Sequence, residues 1–157
     1  MTKIGLLSDT HGWLNPKIYE FFKDCDEIWH AGDIGSTDVA DELMAFKKLR
    51  AVFGNIDDWD VRSMFPQYQI FKVEETKIFM THAYDYNVKP MILEEKPDIF
   101  ISGHCHILKV MRDPKLNLLH LNPGAAGLKG FQKKVTMMRF EINGNKAENL
   151  EIYEADK

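Results

Sequence analysis

Cysteine is scarce in this chain: of 157 residues only Cys25 and Cys105 carry a thiol. They form no Cys-x-x-Cys and no repeated knuckle spacing, which excludes a disulfide-stapled secreted fold and a zinc-finger pattern and points to a reduced compartment. Long apolar runs are missing as well. Met1-Thr2-Lys3 leads into an apolar run that ends at Ser8-Asp9, too short for a secretory leader or a membrane span. The expectation is a cytoplasmic protein with no membrane partner. Nor is there an excess of positive charge. Lys and Arg number 20 against 24 Asp and Glu, a net charge of -4, so strong nucleic-acid binding is not expected. The small cluster Lys129, Lys133 and Lys134 reads as a solvated face. Repeats, low-complexity tracts and linkers are also lacking, which leaves a single domain over residues 1–157. A chain of this length hides roughly 68–70% of its unfolded surface, enough for a full core without staples.

What is present is a series of short apolar, β-branched runs, each cut off by a small or turn-forming residue and then a polar one. Residues 3–7 end at Ser8-Asp9-Thr10-His11-Gly12, 27–31 at Gly32-Asp33, and 49–53 at Gly54-Asn55. Residues 77–80 end at Thr81-His82, and 98–101 at Ser102-Gly103-His104-Cys105-His106. Helical stretches separate several of these strands. Asn15-Pro16 reads as an N-cap followed by proline at the first helical position, with Ile18, Phe21 and Phe22 on one face. Ser36-Thr37 caps a second helix carrying Val39, Leu43 and Phe46, and a third fits 90–95, closed before Pro97. Alternating strands and helices imply parallel pairing in the first half. Later strands near Val110, 118–121, 134–142 and 147–153 follow without helices. Asn143-Gly144 marks a hairpin that pairs Met138, Phe140 and Ile142 with Leu150 and Ile152. The fold class is α/β with a substantial antiparallel part.

In open α/β sheets ligands sit beyond the carboxyl ends of the strands. Placing Asp9, His11, Asp33, Asn55, His82, His104 and His106 there gathers seven oxygen and nitrogen donors, more than one metal needs. Carboxylate and amide oxygens mixed with imidazoles suit manganese, iron, nickel or zinc, and one shared carboxylate between two ions is economical. Asp33 is the candidate bridge. In extended backbone, residues i and i+2 share a side. That would turn Asp9 and His11 inward with Thr10 outward, and His104 and His106 inward with Cys105 outward as a buried small residue. Glycines at 12, 32, 54 and 103 allow close approach.

The motifs SDTHG, GD, GNID, TH and GHCH, in this order, resemble the calcineurin-like metallophosphoesterases, and NPGA at 122–125 looks like a variant of that family's NPGS loop. In length and in GNID the chain is most similar to the small single-domain bacterial and archaeal phosphodiesterases. The resemblance implies two packed mixed β-sheets flanked by helices, a four-layer sandwich. It implies two divalent ions, manganese first, with nickel, iron or zinc as the other choices. The first would be held by Asp9, His11, Asp33 and His106, and the second by Asp33, Asn55, His82 and His104. Asn55, Asp33 and His11 would be catalytic. A hydroxide bridging the ions would attack a small phosphodiester in line, and the metals with Asn55 would stabilise the charge growing on the phosphoryl oxygens. A homo-oligomer is left open.

The sequence departs from that pattern in three places. Ile56 stands where larger relatives place a general-acid histidine, which favours diesters and good leaving groups. Ala83 stands where the family usually has glycine, so a positive φ there would strain the loop after His82. GHCH and NPGA lack the hydroxyls of GHTH and NPGS. Beside the enzyme stands an alternative: a non-catalytic scaffold, like the retromer subunit related to this family, or a metal- or nucleotide-binding protein on the same fold. His30 and His120 read as hydrogen-bonded core or surface residues, His30 also as a candidate neighbour of a ligand. Asp57, Asp58 and Asp60 read as an acidic loop, with Asp57 a candidate for orienting a ligand.

Overall fold

A computed structural model describes all 157 residues. Its elements in chain order are β1 (Thr2–Leu7), α1 (Ile18–Phe21), β2 (Glu27–His30), α2 (Thr37–Phe46), β3 (Lys48–Ala51), α3 (Trp59–Met64), β4 (Tyr68–Val73), β5 (Thr76–Thr81), α4 (Val88–Glu95), β6 (Ile99–Ile101), β7 (Leu108–Asp113), β8 (Leu118–Pro123), β9 (Lys134–Asn143) and β10 (Lys146–Asp156). They build two five-stranded sheets, ordered β10-β9-β1-β2-β3 and β4-β5-β6-β8-β7. Parallel pairing joins β1, β2 and β3, as the alternation of strands and helices implies. It also joins β5, β6 and β8. Antiparallel β9 and β10 complete the first sheet, and antiparallel β4 and β7 complete the second. Both sheets are therefore mixed.

Strand periodicity explains the layering. Ile4, Leu6, Trp29 and Val52 point to one face of the first sheet and meet Ile78, Met80, Ile101 and Leu121 of the second. Their neighbours Leu7, Ile28 and Ala51 point the other way, against Ile18, Val39, Leu43 and Val61 of the three helices and Phe22 just after α1. On the far side Phe79 and Phe100 are covered by Val88 and Ile92 of α4. Full burial of side chains of this size contributes about 1.5–3 kcal/mol each. The result is the expected four-layer order of helix, sheet, sheet and helix.

Local signals succeed and fail for physical reasons. Ser36 caps α2, its side chain accepting from the Val39 N–H at 3.4 Å. Asn15 does not cap α1 directly. Its Oδ1 accepts from the Lys17 N–H at 2.9 Å, a turn that precedes a helix of only four residues. Helix α4 begins at Val88 rather than at Pro90, and ends where Lys96 takes φ 50° before Pro97. Asp58, read as part of an acidic loop, is the N-cap of α3 and accepts from the Val61 N–H at 3.1 Å. In the hairpin the register shifts between Glu148 and Glu151, with Asn149 at φ 54°. Leu150 packs on the core as expected, but Ile152 stays 41% exposed.

Candidate metal centre

All seven donors named from the sequence meet where β1, β2, β3, β5 and β6 end. Asp9, His11 and His106 form one group of converging ligand atoms, and Asp33, His82 and His104 form a second. Asp33 joins them: its Oδ2 lies 3.4 Å from His11 Nε2 and 3.2 Å from His82 Nε2. Asn55 completes the second group, its Oδ1 standing 3.0 Å from His82 Nε2 and 3.0 Å from His104 Nδ1.

The backbone reaches this arrangement by a route the sequence reading did not foresee. Asp9, His11, Asp33, His104 and His106 have φ of 55°, 48°, 55°, 72° and 62°, so the loops are left-handed rather than extended. Each such residue costs roughly 1–2 kcal/mol, and the conformation persists only where surrounding bonds fix it. Those bonds are present. The N–H of Asp9 donates to Gly32 O at 2.9 Å and that of His11 to Asp33 O at 2.9 Å, while Gly103 N–H donates to His82 O at 2.8 Å. Close approach also demands glycine at two points. A Cβ on Gly54 would stand 2.1 Å from Asp33 Oδ1, and one on Gly103 would stand 2.2 Å from Ser8 Oγ. Thr10 turns away from the ligands, as expected. Cys105 also lies outside both groups, but it is exposed rather than buried. Its Sγ accepts from Asn122 Nδ2 at 3.3 Å.

Each carboxylate splits its two oxygens between structure and site. Asp9 Oδ2 accepts from Ser8 Oγ at 2.6 Å and from the His104 N–H at 3.1 Å. Its Oδ1 is buried without a hydrogen-bond partner, although His106 Nε2 approaches to 3.2 Å. Asp33 Oδ1 accepts from the Ile56 N–H at 3.1 Å, leaving Oδ2 between the two groups. The imidazoles are oriented from behind. His82 Nδ1–H donates to Ala31 O at 2.8 Å, and His106 Nδ1–H donates to Gln132 Oε1 at 2.9 Å. Both rings thus present Nε2 to the carboxylates, the arrangement that metal-ligating histidines adopt.

Charge distribution follows from this crowding. Burial alone would raise the Asp9 carboxyl, but His106, His11 and His82 together hold it well below the ordinary carboxylate range. His106 is raised by Asp9 against the opposing effect of burial. For His82 burial works downward, and Asp33 and Asp9 reverse it to a net rise. Asp9 Oδ1 and His11 Nε2 are the two buried side-chain polar atoms left without a hydrogen-bond partner, one from each side of a converging pair. An unpaired buried acceptor is costly. Cations at this point would satisfy both orphans, so the donor set fits divalent metal.

Several supporting residues went unread or half-read in the sequence. Gln132 carried no motif, and Ser8 was read only as the first residue of SDTHG, with no role of its own. Asp57 is buried and holds the loops rather than a ligand, accepting from the N–H groups of Gly54 (2.8 Å), Gly35 (2.8 Å) and Ile34 (3.2 Å). Arg62 donates to Asn55 O at 3.1 Å. His30 is fully buried and is no ligand. It accepts from the Gly32 N–H at 3.1 Å through Nδ1 and donates through Nε2 to Thr10 Oγ1 at 3.0 Å. Burial pushes this ring down to about 4, so it bridges two site loops as a neutral group. Ala83 has no positive φ, so the glycine it replaces is not missed on that account. Ile56 is 46% exposed and offers no proton.

Comparisons with known proteins agree with this geometry. The family model described as "Calcineurin-like phosphoesterase superfamily domain" matches residues 2–145. A probable metallophosphoesterase of Methanocaldococcus jannaschii is 31% identical over 134 residues, covering 78% of this chain and 67% of that protein. Among solved structures, a novel archaeal phosphodiesterase superposes with TM-score 0.78 at 22% identity, covering 96% of this chain and 99% of that one. Vps29 of Entamoeba histolytica, complexed with zinc, gives TM-score 0.74 at 17% identity, with 98% of each chain covered. At these identities the two structures speak for the fold alone. No helix is long and apolar enough to cross a membrane.

Proposed function

The chain belongs to the calcineurin-like phosphoesterase superfamily, and from that premise we propose that it is a binuclear-metal phosphodiesterase acting on small phosphate diesters. The observation that carries the reading is the position of Asp33 Oδ2 between His11 and His82, beside the orphaned Asp9 Oδ1 and His11 Nε2. Asp9, His11, Asp33 and His106 would hold one ion, and Asp33, Asn55, His82 and His104 the other. Manganese is the first choice, with nickel, iron and zinc also suited to the donors. Two divalent ions bound there supply Lewis acidity toward phosphoryl oxygen and make water acidic enough to react near neutral pH.

The chain's own groups do the rest. Asn55 turns Oδ1 toward two imidazoles, which leaves Nδ2 to donate to a phosphoryl oxygen as charge develops. Gln132 and the Ala31 carbonyl fix His106 and His82 in one tautomer. Hydroxide attacks phosphorus in line, one ester oxygen leaves with the electrons of the broken P–O bond, and a monoester and an alcohol result. Ile56 cannot protonate that oxygen, which favours diesters whose departing group is stable as an anion.

The test is to strip the protein of metal, restore one divalent ion at a time, and assay bis(p-nitrophenyl) phosphate beside p-nitrophenyl phosphate. Turnover that requires metal and is faster on the diester is the expected result. Silence with every metal would overturn it and favour a scaffold role on the fold shared with Vps29, sought by pull-down of a tight protein partner.

A further inference from the structure

A cavity of about 330 Å³ opens beside the second ligand group, walled on one side by Gly103 and His104. It lies on the outer face of the second sheet, next to the end of α4, and its size falls within the range of small-molecule sites. Its lining separates into two chemistries.

The floor is aromatic. Phe100 and His120 stand with ring centroids 4.8 Å apart, and Tyr84 lies 5.4 Å from Phe100. Tyr84 stacks on His120, with centroids 6.1 Å apart and 29° between planes, and meets Phe100 edge-on at 71°, so the surface offered to a ligand is the part of the Tyr84 ring these neighbours leave uncovered. The Tyr84 side chain is 48% exposed, which leaves ring surface open to a ligand. His120 shares a hydrogen bond of 2.9 Å with Ser102 Oγ through Nε2. Burial pushes that imidazole down to about 4, so the floor is uncharged at neutral pH.

The rim is polar and offers both signs. Alternate residues of β7, Lys109, Met111 and Asp113, face the cavity along one side of the strand. Asp113 Oδ1 is engaged by the N–H groups of Lys115 and Leu116, which leaves Oδ2 to accept from a ligand, while Lys109 supplies a donor. A purely hydrocarbon ligand would leave these groups unused. An isolated phosphate would leave the aromatic floor unused. A flat ring with donors and acceptors around its edge uses both.

We infer that this cavity is the subsite for a nucleobase, and that the diesters cleaved beside it carry a nucleoside. The inference rests on the phosphodiesterase reading above, because His104 is shared between the cavity wall and the ligand group. The base stacks on Tyr84 and is held at its edge by Lys109 and Asp113, which directs the attached phosphate toward the seven donors. Base–aromatic stacking is sequence-tolerant, so the surface selects nucleosides over simple alkyl groups more than one base over another.

The experiment uses the full chain loaded with the metal that gives turnover and compares two esters with the same p-nitrophenyl leaving group. One carries thymidine on the phosphate and the other a methyl group. In parallel, thymidine is titrated into metal-free protein and followed by backbone amide shifts. The expected result is a kcat/KM about tenfold higher for the thymidine ester, in keeping with the loss of one stacking contact. Tyr84→Ala abolishes that preference and the thymidine-induced shifts, and Tyr84→Phe keeps both. Equal kcat/KM for the two esters, with no shifts around Tyr84, would overturn the subsite and leave the phosphodiesterase standing. Shifts that depend on Tyr84, with neither ester cleaved under any metal, would overturn the phosphodiesterase reading and keep the nucleoside site.

Discussion

The backbone N–H of His104 donates to Oδ2 of Asp9 at 3.1 Å, across 95 positions of the chain. This bond crosses from the second sheet to the first and joins the two ligand groups, leaving Asp9 Oδ1 free to face the site. Asp9 therefore supports both groups although it belongs to one. Asp9→Ala should weaken metal in the second group about 10–100-fold, the usual cost of losing an outer partner. His11→Ala, which leaves the bond in place, should spare the second group by comparison. Manganese titration with free ion read by electron paramagnetic resonance measures both.

Gln132 stands behind His106, with Oε1 accepting from Nδ1–H and Nε2 donating to Lys129 O at 2.7 Å. Gln132→Ala removes what fixes the imidazole's tautomer and angle. The expected cost is about 10–100-fold in metal affinity or turnover. Gln132→Glu restores an acceptor at the same point and should recover most of it. Thermal unfolding of the variants, unchanged within error, would show that the loss is local.

Histidine titration gives a stability prediction with a definite sign. His120 has a folded pKa lowered from 6.5 to about 4, by burial first and by Lys109 as well, with Asp113 working the other way. The unfolded chain takes up this proton first, so the stability is complete above about pH 6.5 and is lost as pH falls toward 4. The slope is at most about 1.4 kcal/mol per pH unit for one such proton. His82 and His106 are raised, so their contribution is full at low pH and fades as pH rises through their folded values. The pH dependence of wild type minus His120→Phe, from urea unfolding of metal-free protein, isolates the one ring. A difference that does not change between pH 7 and 4.5 would contradict the assignment.

The strand ends and the residue types on them were legible because each apolar run stops at a donor, and parallel topology carries those ends to one edge. The local path was less legible. A period of two placed His104 and His106 correctly for a reason that does not hold, since both residues are left-handed. Nothing in a single sequence announces positive φ at histidine. Gln132 and Thr10 act through bonds to partners set by tertiary structure, and β4 escaped notice because an edge strand exposes Ile70 as well as burying Val73. Helix α3 was hidden by its acidic start, where Asp58 serves as a cap rather than as loop.

Cys105 invites attention among the histidines, but its Sγ turns to Asn122 and belongs to neither ligand group. Cys105→Ser keeps an acceptor for the Asn122 amide. The expected outcome is full retention of bound metal, measured by elemental analysis after dialysis. Loss of one equivalent from a folded variant would make the thiol a ligand.

The central claim is that Asp33 is shared by two ions, and equilibrium manganese binding to wild type, His106→Ala, His104→Ala and Asp33→Asn tests it most directly. Two equivalents in wild type, one in each histidine variant, and a failure of both sites in Asp33→Asn is the expected result. A single equivalent in wild type, or two retained after Asp33→Asn, would contradict a shared carboxylate.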